Sequence, residues 1–317
     1  MNEPGPGVRP RRGRTGLRDD PAMRAGFGVA LPFFARRLWV SLQRRGGAAP
    51  RVDFDPAALV QTPGVTWIGH ATFLVRMDGV AFLTDPMFSR RASPLRFAGP
   101  ARLAPPGLGL GSLPAVDFAL VSHDHYDHLD LPSVRALARR GVRFIVPRGL
   151  GELVRRAGAE ATELDWWEQV QVGPVGVHCV PAQHFSGRTP FDRNRRLWAG
   201  FVVTGPTRRF YHAGDTGRFE GFAEIGRRLA PIDLAAMPIG AYLPRRMMGP
   251  VHVTPEEALQ GALAAGAARV AAMHWGTFDL ADEPLDEPPR RFRAEAGRLG
   301  LDDDRTWVMA VGETRRW

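Results

Sequence analysis

The sequence predicts an α/β protein whose chemistry is gathered along one edge of a sheet core, and two observations carry that prediction. The first is the stretch Ser122-His123-Asp124-His125-Tyr126-Asp127-His128, an H-x-H-x-D-H pattern directly after the apolar run at 117–121. That run is short, apolar and bounded upstream by turn residues, which reads as a buried strand. The motif therefore lies on a loop leaving the C-terminal end of a strand, where α/β proteins place their reactive groups. The second observation is that His123, His184, Asp215 and His274 each stand just after a predicted strand. One histidine after a strand is usually a loop histidine. Metal-capable residues at the ends of four strands describe a single site on one sheet edge.

Taken in order, the core opens with strands at 65–68, 72–75 and 80–84, with turns at Gly69-His70 and Asp78-Gly79. Asp-Gly is a strong hairpin signal. His70, on a turn between apolar strands, reads as a hydrogen-bonded structural histidine. Residues 86–116 mix many Pro and Gly with Met87, Phe88, Leu95, Phe97, Leu103, Leu108 and Leu110. So long a loop in a compact domain is usually functional, and its apolar content suggests a lid. A helix follows at 131–140, with Pro132 in its first turn. A strand at 144–146 and a short helix at 150–157 come next. Further strands are expected at 168–172, 175–180, 198–204, 208–212, 234–237 and 269–273. The helix at 254–266 carries Thr254 as N-cap, Pro255 at the first position and Glu257 at the third, a capping-box pattern.

Composition bounds what the chain does. Its 317 residues suffice for one large domain or two small ones, and 44% hydrophobic with 24% charged residues is ordinary for a globular protein. The single cysteine, Cys179, excludes an internal disulfide and a thiolate cluster and fits a cytoplasmic compartment. Of the formal charge of +9, residues 1–50 carry +7, from ten arginines against Glu3, Asp19 and Asp20. The body is nearly neutral, which argues against a nucleic-acid partner. Every basic residue is Arg, as a GC-rich genome would favour.

The chain divides accordingly. Residues 1–24, rich in Gly, Pro and Arg, read as a disordered basic tail, within which Met23 is an alternative start. Residues 25–60 read as an N-terminal apolar and basic helical segment. Its apolar run at 25–35 is too short to span a bilayer. Pro32 and Arg36-Arg37 argue against a cleaved signal. That leaves a helix packed on the body, or peripheral contact of 25–45 with the inner face of a membrane through Phe33, Phe34, Leu38 and Trp39. Residues 61–317 form the main domain.

Imidazole and carboxylate are the donors that suit zinc and similar divalent ions, and such a set also accepts Mn or Fe. His123 and His125 are two residues apart, so an extended segment points both to one side. Asp127 and His128 follow at a turn, within reach of a second ion a few ångströms away.

At this point the chain resembles the metallo-β-lactamase superfamily, and within it the branch of N-acylphosphatidylethanolamine-hydrolysing phospholipase D. The resemblance covers roughly residues 60–285 and is carried by Trp67–Thr72 (WIGHAT), Leu83-Thr84-Asp85-Pro86, the stretch from Ser122 to Asp130, Gln183-His184, Leu197-Trp198, the AGDTG at 213–217, the PIGAY at 238–242, the HVTPEEA at 252–258 and Met273-His274-Trp275-Gly276. It implies an αβ/βα four-layer sandwich of two mixed β-sheets flanked by helices, making 61–317 a hydrolase domain. It further implies a dinuclear zinc site. His123, His125 and His184 would hold one ion, and Asp127, His128 and His274 the other. Asp215 would bridge them, with a hydroxide between to attack phosphorus. Asp127 would also serve catalysis, His252 would face the substrate phosphate or leaving group, and Tyr242 would line the pocket. His178 and His212 read as structural.

The reading that follows is a metal-dependent phosphodiesterase acting on a phospholipid. The alternative is a soluble lactonase or carboxylic-ester hydrolase, similar to the ascorbate-6-phosphate lactonase neighbours, taking a small phosphodiester or lactone. Dimers occur in the resembling branch, which makes a homodimer an expectation here too.

Overall fold

A computed structural model describes residues 11–13, 16–18, 47–59, 63–189 and 191–317. The 25–45 segment and most of the 1–24 tail lie outside the described residues. Within the tail, β1 (Arg11–Gly13) pairs antiparallel with β2 (Gly16–Arg18). Of the stretch expected to be helical up to residue 60, residues 47–55 are not helical. Their backbone groups find partners across the fold, with Ala49 N donating to Gly276 O and Val52 N to Val311 O, both at 2.9 Å. Only Pro56–Leu59 (α1) is helical among the described residues of that stretch.

Two mixed sheets of seven strands build the body. The first runs, in spatial order, β16 (Thr314–Arg316), β3 (Gly64–Gly69), β4 (Thr72–Met77), β5 (Val80–Thr84), β6 (Phe118–Leu120), β7 (Arg143–Pro147) and β8 (Ala161–Leu164). The second runs β15 (Thr306–Trp307), β14 (Ala267–Met273), β13 (Ile232–Pro238), β12 (Arg209–His212), β11 (Gly200–Thr204), β10 (Val175–Val180) and β9 (Gln169–Val172). Pairing is antiparallel from β16 to β5 and parallel from β5 to β8. The second sheet repeats this, antiparallel from β9 to β12 and parallel from β12 to β15. Strands β10, β12 and β14 thus point the same way and end at one edge, so the loops after them meet.

The period-two rule decides which side chains fill the middle. Val65, Trp67, Phe73, Val75, Phe82, Phe118 and Leu120 join the buried cluster that also holds Val177, Phe201, Phe210 and Leu234 of the second sheet. Their neighbours Ile68, Leu74, Leu83, Ala119 and Val121 face outward, and pack with Val134 and Leu137 of α2 (Leu131–Ala138) and Val154 of α3 (Gly151–Arg156). Helices α4 (Gly221–Leu229), α6 (Pro255–Ala264) and α7 (Glu287–Arg298) cover the second sheet, and the short α5 (Arg245–Met248) precedes the loop to α6. The capping box of α6 forms as expected. Thr254 Oγ1 accepts from Glu257 N at 3.3 Å, and Glu257 Oε2 from Thr254 N at 2.8 Å.

Several elements carry weak sequence signals. Helix α4 contains Gly226, where a Cβ would meet Ala264 O at 2.6 Å, so close packing on α6 outweighs helix propensity. Helix α7 buries Phe292 and Ala296 one turn apart, between charged neighbours. The 86–116 segment spends part of its apolar content on packing. Leu108 and Leu113 join the outer core, while Met87 and Ala92 pack on Phe278. Its backbone is tied by Leu103 N to Thr277 O and by Gly107 N to Ile68 O. Parts of the segment expected as a lid are thus tied to the body, with Leu95 47% and Phe97 80% exposed. Among the described residues no helix is long and apolar enough to cross a membrane.

Candidate metal centre

The centre grows from the loop after β6. The chain leaves the strand extended through Ser122 and His123, then turns, with His128 N and Leu129 N both donating to His125 O at 3.1 and 2.8 Å. This turn brings His128 back beside His123, their ring centroids 4.2 Å apart. Asp124 points away. Its carboxylate accepts from Gly187 N at 2.7 Å and from Arg196 Nη1 at 2.8 Å, clamping the 184–196 loop to the motif. Arg188 reinforces the clamp, donating to Asp124 O at 2.7 Å while its guanidinium lies 3.9 Å over the Tyr126 ring.

The second sheet delivers three more residues. His184 follows β10, and its Nδ1 donates to Val251 O at 3.0 Å, leaving Nε2 turned inward. Asp215 follows β12 through Gly214, whose φ of +61° and crowding by Ala199 O and Ser122 Cβ at 2.8 Å require glycine. His274 follows β14 in the left-handed region at φ 62°, and His70 does the same at φ 57°. Such conformations are rare outside glycine and cluster at functional sites. They are held by His274 N donating to His70 O at 3.1 Å and His70 N to Thr277 Oγ1 at 2.7 Å.

Two groups of donors result. His125 Nδ1 lies 2.9 Å from His123 Nε2 and 3.2 Å from His184 Nε2. The edge of a tetrahedral zinc site is about 3.3 Å, given metal–nitrogen bonds of about 2.05 Å. In the other group, Asp127 Oδ2 lies 3.6 Å from His128 Nε2 and 3.5 Å from His274 Nε2. His70 joins it, its Nε2 3.0 Å from Asp127 Oδ2. Asp215 Oδ2 stands between the groups, 3.2 and 3.1 Å from the Nε2 atoms of His128 and His274 and 3.8 Å from those of His123 and His184.

The centre is buried, with Asp127 at 13% its more open carboxylate and Asp215 at 3%. Burial drives the His125 imidazole down to about 4 and that of His184 to about 3, despite the pull of Asp215. In the other group burial is overcome. Asp215, Asp127 and Asp85 hold His128 well above the ordinary imidazole range, and Asp215 and Asp127 raise His274 to about 9. Both cluster carboxylates are held well below theirs: burial opposes this, but His128 leads the facing imidazoles that outweigh it.

The donor set fits divalent ions on its own geometry. His128 Nε2, His274 Nε2 and Asp215 Oδ1 are buried with no hydrogen-bond partner among the described residues. Leaving such atoms unsatisfied is costly, and all three belong to the convergent groups. His70, Asp127, His128 and His274 form one set that can hold an ion, and His123, His125 and His184 another.

All seven residues expected as ligands are brought together. His252 lies beside them, buried, its ring 5.1 Å from His184 and 5.5 Å from His274. Tyr242 is directed elsewhere: its hydroxyl donates to Glu287 Oε1 at 2.8 Å and Arg291 covers its ring, so it braces α7. His178 pairs with Thr204 on the sheet surface. The sequence reading quoted Asp85 and Ser122 without giving either a role, and took His212 as structural only. The available signal was Asp85-Pro86 directly after a strand, the same position that marks the other site residues.

A beta-lactamase superfamily domain model matches residues 81–275, and the chain belongs to the metallo-β-lactamase superfamily. It is similar to an N-acyl-phosphatidylethanolamine-hydrolyzing phospholipase D of Caenorhabditis elegans, 43% identical over 263 residues, covering 78% of this chain and 74% of that one. An uncharacterised protein of Mycobacterium tuberculosis is 45% identical over 239 residues, covering 73% of this chain. The match spans 63% of that mycobacterial relative's length. Among solved structures, a metallo hydrolase of Ignicoccus hospitalis shares the fold with a TM-score of 0.62 at 23% identity, covering 80% of this chain and 97% of that one.

Proposed function

We propose that the protein is a metal-dependent hydrolase that cleaves a phosphodiester of the N-acylphosphatidylethanolamine class. In this reading His123, His125 and His184 hold one zinc ion, Asp127, His128 and His274 the other, and Asp215 is shared. The observation that supports it most is Asp215 Oδ2 standing within 3.1–3.8 Å of histidines from both groups. Two divalent ions so held would supply a water acidified to near-neutral pKa and charge neutralisation for the leaving oxygen.

The remaining tasks fall to the chain's own residues. Asp127, hydrogen-bonded to His70 and the more open of the two carboxylates, is placed to accept a proton and release it to solvent. Burial, against the pull of Asp215, lowers His252 to about 3, so a neutral ring faces the substrate and can bind a phosphate oxygen without a like-charge penalty toward the ions. Phe191, 85% exposed, sits on the loop that begins at His184, beside the exposed Arg193 and Arg195. Aromatic and basic residues so mixed suit contact with a lipid surface.

The test is metal-reconstituted turnover of N-acylphosphatidylethanolamine in mixed vesicles, of bis(p-nitrophenyl) phosphate and of a simple lactone, with Asp215→Asn alongside. Lipid turnover lost in the variant is expected. Lactone turnover without lipid turnover would instead assign a soluble ester hydrolase. No turnover of any of them by protein carrying two ions would discard the substrate class.

A further inference from the structure

Of the expected ligands that turn Nε2 toward the cluster, His123, His128 and His184 have a partner on the other nitrogen. His184 Nδ1 donates to Val251 O at 3.0 Å, His128 Nδ1 donates to Asp85 Oδ2 at 2.7 Å, and His123 Nδ1 lies 2.9 Å from Ser122 Oγ. His274 differs: its Nδ1 is buried with no hydrogen-bond partner among the described residues. That atom is a donor in either state of the site. A ring that gives its Nε2 lone pair to an ion carries its proton on Nδ1, and a protonated ring carries one on each nitrogen. Metal-binding imidazoles almost always give this proton to a carboxylate, a carbonyl or a water.

The surroundings of His274 supply an acceptor. A cavity of about 20 Å³ is lined by His274, Trp275, Gly240, Ala241 and Glu283, among others. That is room for a single water. Trp275 Nε1 is likewise buried with no partner among the described residues. Glu283 is buried, and its carboxylate holds the turn after β13: Oε1 accepts from Ala241 N at 2.5 Å and Oε2 from Leu243 N at 3.0 Å. The turn is pressed against the histidine, since Ala241 is left-handed at φ 62° and a Cβ on Gly240 would meet His274 O at 2.1 Å. Burial raises the Glu283 carboxyl, and His274 is near enough to be among the groups that pull it back. Each Glu283 oxygen keeps a lone pair beyond its backbone donor. The cavity therefore faces two N–H donors and one carboxylate. A water satisfies all three, accepting from both nitrogens and donating to Glu283. An anion would be repelled by the carboxylate, and a cation by the two N–H groups.

We propose that Glu283 is a positioning residue for His274, acting through one water held in this cavity, which takes the Nδ1 proton and keeps Nε2 turned to the ion. The inference rests on the assignment of His274 to an ion. It makes Glu283 a handle on the ion of the His128–His274 group alone, at a residue that touches neither ion nor substrate.

The experiment has two arms. A crystal structure of zinc-loaded wild type should show a water within about 3 Å of both His274 Nδ1 and Glu283. Cobalt(II) titration with chelator competition then compares wild type, Glu283→Gln and Glu287→Gln. Glu287 braces the same turn through Tyr242 but does not line the cavity. Wild type should take up two ions. Glu283→Gln should weaken one by roughly 10- to 100-fold, the usual effect of losing such a partner, and keep the other within about twofold. Glu287→Gln should leave both within about twofold. In proton NMR of the cobalt protein, the His274 Nδ1–H signal, identified by its loss in His274→Gln, should move in Glu283→Gln while the other imidazole N–H signals hold. A cavity without that water would overturn the proposal. So would unchanged affinities in Glu283→Gln, or equal weakening by both variants, which would make Glu283 a brace of the turn only. If Glu283→Gln fails to fold, the crystal structure decides by itself. Wild-type protein that binds fewer than two ions would refute the ion assignment, a result distinct from these.

Discussion

The two halves of the cluster use the same residue types and end in opposite electrostatic states. His123, His125 and His184 face one another, with Asp215 3.8 Å from two of them and Asp127 and Asp215 pulling on His125, yet burial keeps the rings neutral. His128 and His274 stand against Asp127, Asp215 and, for His128, Asp85, and these acids hold both rings protonated when metal is absent. A neutral half presents lone pairs at once. An acidic half must exchange protons for its ion, and binds through charge as well as through nitrogen. Position relative to carboxylates, rather than the histidine count, sets how each half behaves.

The shared Asp215 is where this contrast is most exposed to test. Asp215→Asn removes the one oxygen common to both halves. Turnover should fall by on the order of 10³- to 10⁴-fold, about 4 to 5.5 kcal/mol of transition-state stabilisation. Kinetics on metal-reconstituted protein would check this; a fall below tenfold would mean that the halves work independently. Next come His184→Ala and His274→Ala, each expected to cost roughly 10²-fold or more and to leave one ion bound. Metal analysis after gel filtration at pH 6 and pH 9 separates them. The ion kept by His184→Ala, in the acidic half, should bind more tightly at the higher pH. The ion kept by His274→Ala should show much less pH dependence.

A smaller effect follows from His274 itself. In metal-free protein its pKa is raised to about 9, above the ordinary value of 6.5. Its contribution to stability is therefore complete below pH 6.5 and is lost as pH rises through about 9. His125 and His184, lowered to about 4 and about 3, act in the opposite sense: their contribution is present above pH 6.5 and is lost as pH falls through those values. Urea unfolding of chelator-treated protein should show both declines. Metal-loaded protein should lack the alkaline one, because a ligated His274 has no proton to lose. The smallest effect belongs to neither half. Thr254→Ala removes the cap of α6 and should cost about 1 kcal/mol with metal content unchanged, as thermal melting would show.

Much of this was legible because it is local. The spacing of His123, His125, Asp127 and His128, the strand-end positions of His184, Asp215 and His274, and the Thr254–Glu257 box depend on a few successive residues. Periods of two and 3.6 translate such spacing directly into direction. Elements whose signal is diluted were not legible, among them α4 with its packing glycine and α7 with its charged surface. The 86–116 segment, read as a lid from its apolar content, is divided by the structure: Met87 and Leu108 fill core positions, whereas Leu95 and Phe97 are exposed.

By itself, then, the sequence determined the donor inventory, the ends of the strands that carry it and the α/β character of the core. Only the tertiary structure decided how those donors are divided and oriented. Asp85 meets Ser122, His128 and His212 across 37, 43 and 127 positions of chain. His70 reaches Asp127 across 57, and Tyr242 turns to Glu287. Contacts of that separation arise from how two sheets stack and where their parallel strands end together, which the spacing of neighbouring residues does not encode.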